Sequence, residues 1–272
     1  MRKTTSLHNP LPITRQVPTW AWLLTLVPLS LWLVCALVST PEDLFRLTNQ
    51  SAHAMPDLFW VFFDLLGNGW YVFSLASPLL LIAPRLLLSG LCAGAIAGTL
   101  GRILKLSLEM PRPASVLDPS TFYILGKQLH SLAMPSGHTL TAFALATSIY
   151  FSASHEKRKP LLLLFALATG TALARIAVGA HWPADVLAGS ALGMLGGVAG
   201  AQLCTRIPEH LLQPRAWLMR VLGALLLLCI YMLLSEVIDF PESYPLQLVA
   251  AAITLSSFVL FMRRTLTLAR QA

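Results

Sequence analysis

The sequence predicts an all-α fold, a polytopic transmembrane helical bundle, and three observations carry that expectation. Of its 272 residues, 56% are hydrophobic and only 11% are charged, where a soluble domain carries about a quarter charged residues. The mean hydropathy is +0.69. The apolar residues gather into runs long enough for membrane helices, and the basic residues fall in short loops between them. A net charge of +7 spread in this way forms no stripe. It therefore speaks for a lipid bilayer and against nucleic acid as partner.

A transmembrane helix needs about 20 mostly apolar residues. Candidate spans run over residues 17–38, 67–83, 86–108, 139–153, 161–178, 184–204, 217–234 and 246–262, eight in all. The second and fourth are short, and the second has an apolar approach from about Leu58. The first follows Arg2, Lys3 and Arg15. Its apolar run is too long for a signal core and no clear small-residue cleavage site follows, so it is expected to stay as an anchor. Between the first two spans, Thr40-Pro41-Glu42-Asp43 reads as a helix start: a capping threonine, proline at the first position and acids in the first turn. Leu44, Leu47 and Met55 give that short interfacial helix a weak apolar face. The four cysteines, Cys35, Cys92, Cys204 and Cys229, lie in or beside apolar runs without metal-ligand spacing and read as small hydrophobes.

The loops alternate in charge. Arg2, Lys3, Arg15, Arg85, Lys157, Arg158, Lys159, Arg206, Arg215, Arg220, Arg263, Arg264 and Arg270 fall on one side, thirteen of the nineteen Lys and Arg residues. The positive-inside rule places that side, with both termini, in the cytoplasm. The expected organisation is a cytoplasmic tail (1–16), a six-helix core (17–204), and two further spans with a short tail (205–272).

Three polar clusters fall on the opposite face: residues 105–113 (KLSLEMPRP), 135–138 (PSGH) and 175–185 (RIAVGAHWPAD). Charges kept at the ends of membrane helices are costly and generally functional. Lys105 and Arg112, the latter held between Pro111 and Pro113, offer a point charge and a planar fork to an anion. Ser136 and Gly137 open a helix, where backbone N–H groups and the helix dipole favour negative charge. His138 stands on the first turn, placed to protonate an oxygen. In the third cluster, Pro183 suits the first helical position, which sets Asp185 about one turn beyond His181. The carboxylate can then fix the imidazole tautomer and leave one nitrogen lone pair for nucleophilic attack. Arg175 supplies a third cation. Snorkelling explains an isolated lysine or arginine as well; it does not explain the two histidines. The connection over residues 111–135 is long enough to act as a lid or a selection loop.

Lys105-x6-Arg112-Pro113, Pro135-Ser136-Gly137-His138 and Arg175-x5-His181-x3-Asp185 resemble, in order, the three-part signature of the type 2 phosphatidic acid phosphatase superfamily. That superfamily includes bacterial membrane lipid phosphatases and shares its site with vanadium haloperoxidases. The resemblance covers roughly residues 58–204 and implies that the six-helix core (17–204) has that fold. It implies that Lys105, Arg112 and Arg175 hold phosphoryl oxygens with Ser136 and the amide of Gly137. It further implies that His181 attacks phosphorus, Asp185 orients it, and His138 protonates the leaving oxygen and then helps activate water. Cofactors and metals are expected to be none, since three cations spread the transition-state charge. The substrate would be a membrane lipid phosphate or diphosphate of the phosphatidic acid, phosphatidylglycerol phosphate, undecaprenyl diphosphate or lipid A type. It would be met at the periplasmic face of a bacterial inner membrane. One position departs from the pattern: the family's serine before the third-motif arginine is Ala174 here. A lipid phosphotransferase using the same site is the alternative. A non-enzymatic transporter or lipid-binding protein is disfavoured because the cations gather at one face, not at the midplane.

Overall fold

The computed structural model describes residues 17–270; the tail carrying Arg2, Lys3 and Arg15 lies outside the described residues. All regular elements among them are helical, in the order α1 (Leu26–Val38), α2 (Pro41–Ser51), α3 (Asp57–Leu65), α4 (Gly69–Leu75), α5 (Leu79–Ile82), α6 (Pro84–Leu108), α7 (Pro113–Val116), α8 (Gly137–Ser152), α9 (Arg158–Ala177), α10 (Pro183–Cys204), α11 (Trp217–Ser235) and α12 (Tyr244–Arg270). A 3-10 segment, Thr19–Thr25, runs straight into α1. Six stretches are long and apolar enough to cross a membrane, or seven if the bent pair α3–α4 counts as one.

Two of the expected spans take a different form. The segment over residues 67–83 is broken into α4 and α5, with Pro78 before α5 and Pro84 opening α6. Proline lacks the N–H that a continuous helix needs, so each one resets the chain. The approach from Leu58 is the helix α3, which meets α4 at a 79° bend. Asn68 caps α4 there by accepting from the amides of Trp70 and Tyr71 at 3.0 and 3.4 Å. The segment over residues 139–153 is one helix, α8, of 16 residues, or about 24 Å. It is enclosed by its neighbours: Leu140, Ala144, Thr147, Ser148 and Phe151 are all buried.

The centre of the bundle is α10, packed against both α6 and α8, which also pack on each other. Close approach requires glycine on α10: a Cβ on Gly189 would lie 2.6 Å from the Ser136 carbonyl oxygen. This fixes the start of α10 against the start of α8. At the opposite end, Arg85 from the start of α6 donates to the Cys204 carbonyl at the end of α10 and pairs with Glu209 at 2.7 Å. α11 and α12 pack on one another and on α4. All four cysteines are free.

α2 forms where the capping pattern predicts it, with Thr40 Oγ1 accepting from the Asp43 amide at 3.1 Å. The face it turns to the bundle is not the apolar one of Leu47 and Met55. Phe45 and Asn49 are fully enclosed, whereas Leu47 is 69% exposed and Met55 is 39% exposed. Asn49 is what seats the helix. It donates to the carbonyls of Tyr123 (2.8 Å) and Ala177 (3.0 Å) and accepts from the Tyr123 amide (2.9 Å). These bonds, with Tyr123 Oη donating to Asp57 at 2.6 Å and the Leu125 amide donating to Val178 at 3.3 Å, bolt the 111–135 connection to α2, α3 and the end of α9. In this arrangement the connection forms a wall beside α2, α3 and the end of α9.

Candidate active site

Five helix ends and a bend meet at one end of the bundle. Lys105 comes from the last turn of α6, Arg112 from the residue capping α7, and Ser136, Gly137 and His138 from the start of α8. Arg175 lies in the last turn of α9, His181 in the following turn, and Asp185 in the first turn of α10. All three motifs therefore converge.

His181 is 1% exposed and Asp185 fully buried. Asp185 Oδ2 lies 3.2 Å from His181 Nδ1 and also accepts from the Trp182 amide at 2.9 Å. His181 Nε2 lies 3.2 Å from Arg112 Nη1. A guanidinium can only donate, so Nε2 accepts and the ring proton sits on Nδ1, directed at Asp185. The tautomer is the one that nucleophilic attack by Nε2 requires. Its lone pair is engaged by Arg112, not free as the spacing alone suggests. Burial, then the charges of Arg112, Arg175 and Lys105, hold His181 well below its usual 6.5, in the neutral form.

The cations are placed for an anion. Arg112 Nη1 also donates to the Ala180 carbonyl at 2.9 Å, which fixes the guanidinium plane. Its Nε and that of Arg175 are buried without a hydrogen-bond partner among the described residues. Unpaired buried guanidinium donors are expensive, and phosphoryl oxygens are the acceptors that would satisfy them. Ser136 is at the N-cap of α8 yet makes no capping bond. Its amide donates to the Asp185 carbonyl at 2.9 Å and its Oγ accepts from Thr139 at 3.0 Å, so its own proton remains to be donated. A Cβ on Gly137 would meet nothing within 4 Å, which leaves the first amides of α8 approachable. Lys105 is half-buried and makes no hydrogen bond among the described residues, but its charge acts on both His181 and Asp185.

Two carboxylates join the site that the motifs do not contain. Asp64, at the end of α3 and fully buried, pairs through Oδ1 with Arg175 Nη1, and its Oδ2 lies 3.6 Å from His138 Nε2. Asp239, between α11 and α12, lies 3.0 Å from the same nitrogen. Gly67 in the α3–α4 bend permits this, since a Cβ there would lie 2.5 Å from His138 Cβ. Asp64 follows the apolar stretch LFWVFF at the end of α3, and that is its signal in the sequence, because a charge so placed is rarely kept without a partner. The ring of His130, outside the motifs, lies with Nδ1 3.4 Å from Ser115 Oγ.

A helical membrane protein with this convergent cationic site falls in the class of membrane phosphatases. The chain belongs to the PAP2 superfamily, whose model matches residues 85–208. It is similar to the undecaprenyl-diphosphatase of Sulfolobus acidocaldarius, 29% identical over 181 residues, covering 63% of this chain and 85% of that protein. It is also similar to the lipid A 1-phosphatase of Porphyromonas gingivalis, 43% identical over 68 residues, 24% of this chain but 15% of that protein. The crystal structure of Aquifex aeolicus LpxE superposes with a TM-score of 0.52 at 31% identity, covering 58% of this chain and 93% of that one.

Ala174 is fully buried beside Arg175, and the hydroxyl one turn earlier, Thr171, is spent on the Phe63 carbonyl at 2.8 Å. Restoring the hydroxyl with Ala174→Ser should lower the inhibition constant of inorganic phosphate roughly tenfold, as one added charge-assisted hydrogen bond would. An unchanged constant would mean that position 174 does not reach the anion.

Proposed function

We propose that this protein hydrolyses a lipid phosphate or diphosphate at the periplasmic face of a bacterial inner membrane, through a phosphohistidine on His181. The observation that carries the reading is the buried His181–Asp185 pair, fixed in the nucleophilic tautomer and ringed by Arg112, Arg175 and Lys105. Phosphoryl oxygens entering the clamp take the donors of Arg112 and release the Nε2 lone pair. That pair forms the N–P bond while the bond from phosphorus to the leaving oxygen breaks, and His138 delivers a proton to that oxygen. Water, its proton taken by His138, then displaces His181 and yields inorganic phosphate. Ser136 and the Gly137 amide complete the anion cradle, and the charge of the pentacoordinate state is met by groups already oriented.

The positive-inside distribution supports the orientation, with both termini cytoplasmic and the site outside. We read the eight crossings as the six long stretches, the bent segment beginning at α3, and the enclosed α8. Residues 17–204 then form the catalytic core and 205–272 an added helix pair. The substrate classes named for the relatives, undecaprenyl diphosphate and lipid A, share a phosphorylated head and a long apolar tail.

A place for that tail is present. An apolar groove of about 420 Å³ runs between α4, α6, α8 and α11, lined by Trp70, Phe73, Gly94, Ala95, Thr141 and Leu145. Its polar end holds Asn68, whose amide reaches Asp239 at 3.4 Å, and Thr141 lies one turn from His138. Gly94 sits eleven residues before Lys105 on α6, about 16 Å deeper, and a Cβ on it would meet nothing within 4 Å. Gly94→Phe should therefore raise KM for a long-chain lipid phosphate about tenfold or more and leave a short-chain analogue nearly unaffected. Equal KM values for both in the variant would place the tail elsewhere.

The direct test is phosphate release by detergent-purified protein, with EDTA present, across lipid phosphates and diphosphates. Release that His181→Ala abolishes is the expected result. Phosphate appearing only on an added acceptor lipid would make the protein a phosphotransferase.

A further inference from the structure

The α11–α12 pair lies beyond the segment matched to the family, and the connection between its helices enters the site. Asp239 at its tip has Oδ2 3.0 Å from His138 Nε2, across 101 positions of sequence. The backbone is shaped to put it there. Asp239 has φ +56°, the left-handed region that non-glycine residues seldom occupy. The Phe240 amide bonds the Ile238 carbonyl across it at 2.5 Å.

Both neighbours are anchored. Ile238 is buried with Leu65, Tyr71 and Leu233, and Phe240 with Val61, Val178 and Ala180. Ser243 Oγ donates to the Ile238 carbonyl at 2.8 Å. The packing holds the turn while the carboxylate is directed at the histidine. Strain of this kind is kept at functional sites. Burial would raise the Asp239 carboxyl, but the hydrogen bond with and charge of His138, then Arg175 and Asn68, lower it to about 2, so it is ionised.

We propose that Asp239 is the positioning carboxylate of the general acid, holding His138 by Nε2 so that Nδ1–H faces the leaving oxygen. The inference rests on the phosphatase reading above and gives the added helix pair a part in the chemistry. His138 Nε2 is already engaged by Asp239 and approached by Asp64 at 3.6 Å, which leaves Nδ1 as the nitrogen for proton transfer. As the bond from phosphorus to the leaving oxygen breaks, the Nδ1 proton passes to that oxygen. The neutral ring stays bonded through Nε2–H to Asp239 and can take a proton from water in the second step. The arrangement repeats the His181–Asp185 pair with the ring nitrogens exchanged: there Nδ1 meets the carboxylate and Nε2 faces the clamp.

General-acid help matters most when the leaving group is a poor one. The test is kcat/KM for an alkyl phosphate lipid and for p-nitrophenyl phosphate, whose phenolate departs without a proton. It is measured in wild type, Asp239→Asn, Asp239→Gly and His138→Ala. Both Asp239 variants should lose about 10- to 100-fold on the alkyl substrate and less than a tenth of that loss on the aryl one, in the pattern of His138→Ala. Glycine accepts φ +56° freely, which offsets the lost contacts with His138 and Asn68, so Asp239→Gly should hold its apparent Tm better than Asp239→Asn while losing alkyl hydrolysis. Equal losses on both substrates, or a Tm that falls in step with activity, would reduce Asp239 to a structural contact. A gain on the alkyl substrate would make it a resting-state plug, and unchanged kinetics would overturn the assignment. A wild type inactive on every substrate would instead remove the phosphatase reading, and this inference with it.

Discussion

Replacing His181 by alanine is expected to reduce phosphate release by roughly 10⁴-fold or more, the scale seen when a covalent nucleophile is removed. The protein should stay folded in detergent. Asp185 retains its bond from the Trp182 amide at 2.9 Å, and the lost contacts are two hydrogen bonds, to Asp185 and from Arg112, and a small buried ring, about 1–3 kcal/mol for each bond. The same substitution should alter the acid sensitivity of the fold. His181 is held well below 6.5 in the folded state, by burial first and the neighbouring cations second. The unfolded chain therefore binds a proton below about pH 6.5 that the folded chain refuses, and stability falls as the pH drops through that range. In His181→Ala that contribution is gone, so the apparent Tm should decline less steeply between about pH 6.5 and 5. Retained turnover would remove the nucleophile assignment. An unchanged pH slope would show that His181 is not the neutral buried group described.

The residues of the three motifs are legible in the sequence because each is a costly group at a helix end, and such groups declare themselves against an apolar background. The structure adds the tie that sequence spacing does not contain, the Ser136 amide on the Asp185 carbonyl. Asp64 and Asp239 were harder to see. Neither lies near a motif, and each meets His138 only after α3, α8 and the α11–α12 connection have packed together. Asp64 left a faint trace, a carboxylate closing an apolar stretch. Asp239 left none, because an acid in a loop is ordinarily solvated. The broken second span was readable in Pro78 and Pro84, but hydropathy averaged over a window passes over single prolines. The face by which α2 seats on the bundle is hidden for a related reason: it is made by the hydrogen bonds of Asn49, which an apolar count does not register.

Asp64 offers the sharpest separation of fold from function. It is fully buried, as nearly is Arg175 at 4% exposure, and the two are paired. Charges withdrawn from water in this way are tolerable only together. Asp64→Ala should therefore cost about 3–5 kcal/mol, seen as a large drop in apparent Tm, by stranding the guanidinium. Activity should fall as well, by about 10²–10³-fold, the loss typical for one preorganised donor to a transition-state oxyanion. The Arg175 carbonyl accepts from the amides of Ala180 and His181 at 3.1 Å each, so freeing the side chain also loosens the turn that carries His181. The double variant Asp64→Leu, Arg175→Met removes both charges and fills their space with apolar atoms. Exchanges of that kind are often neutral or stabilising, so the Tm should return to near the wild-type value. Phosphate release should not return, because no cation then stands at position 175. Recovery of activity along with stability would mean that Arg175 serves only the fold, and that Lys105 and Arg112 suffice to hold the phosphoryl group.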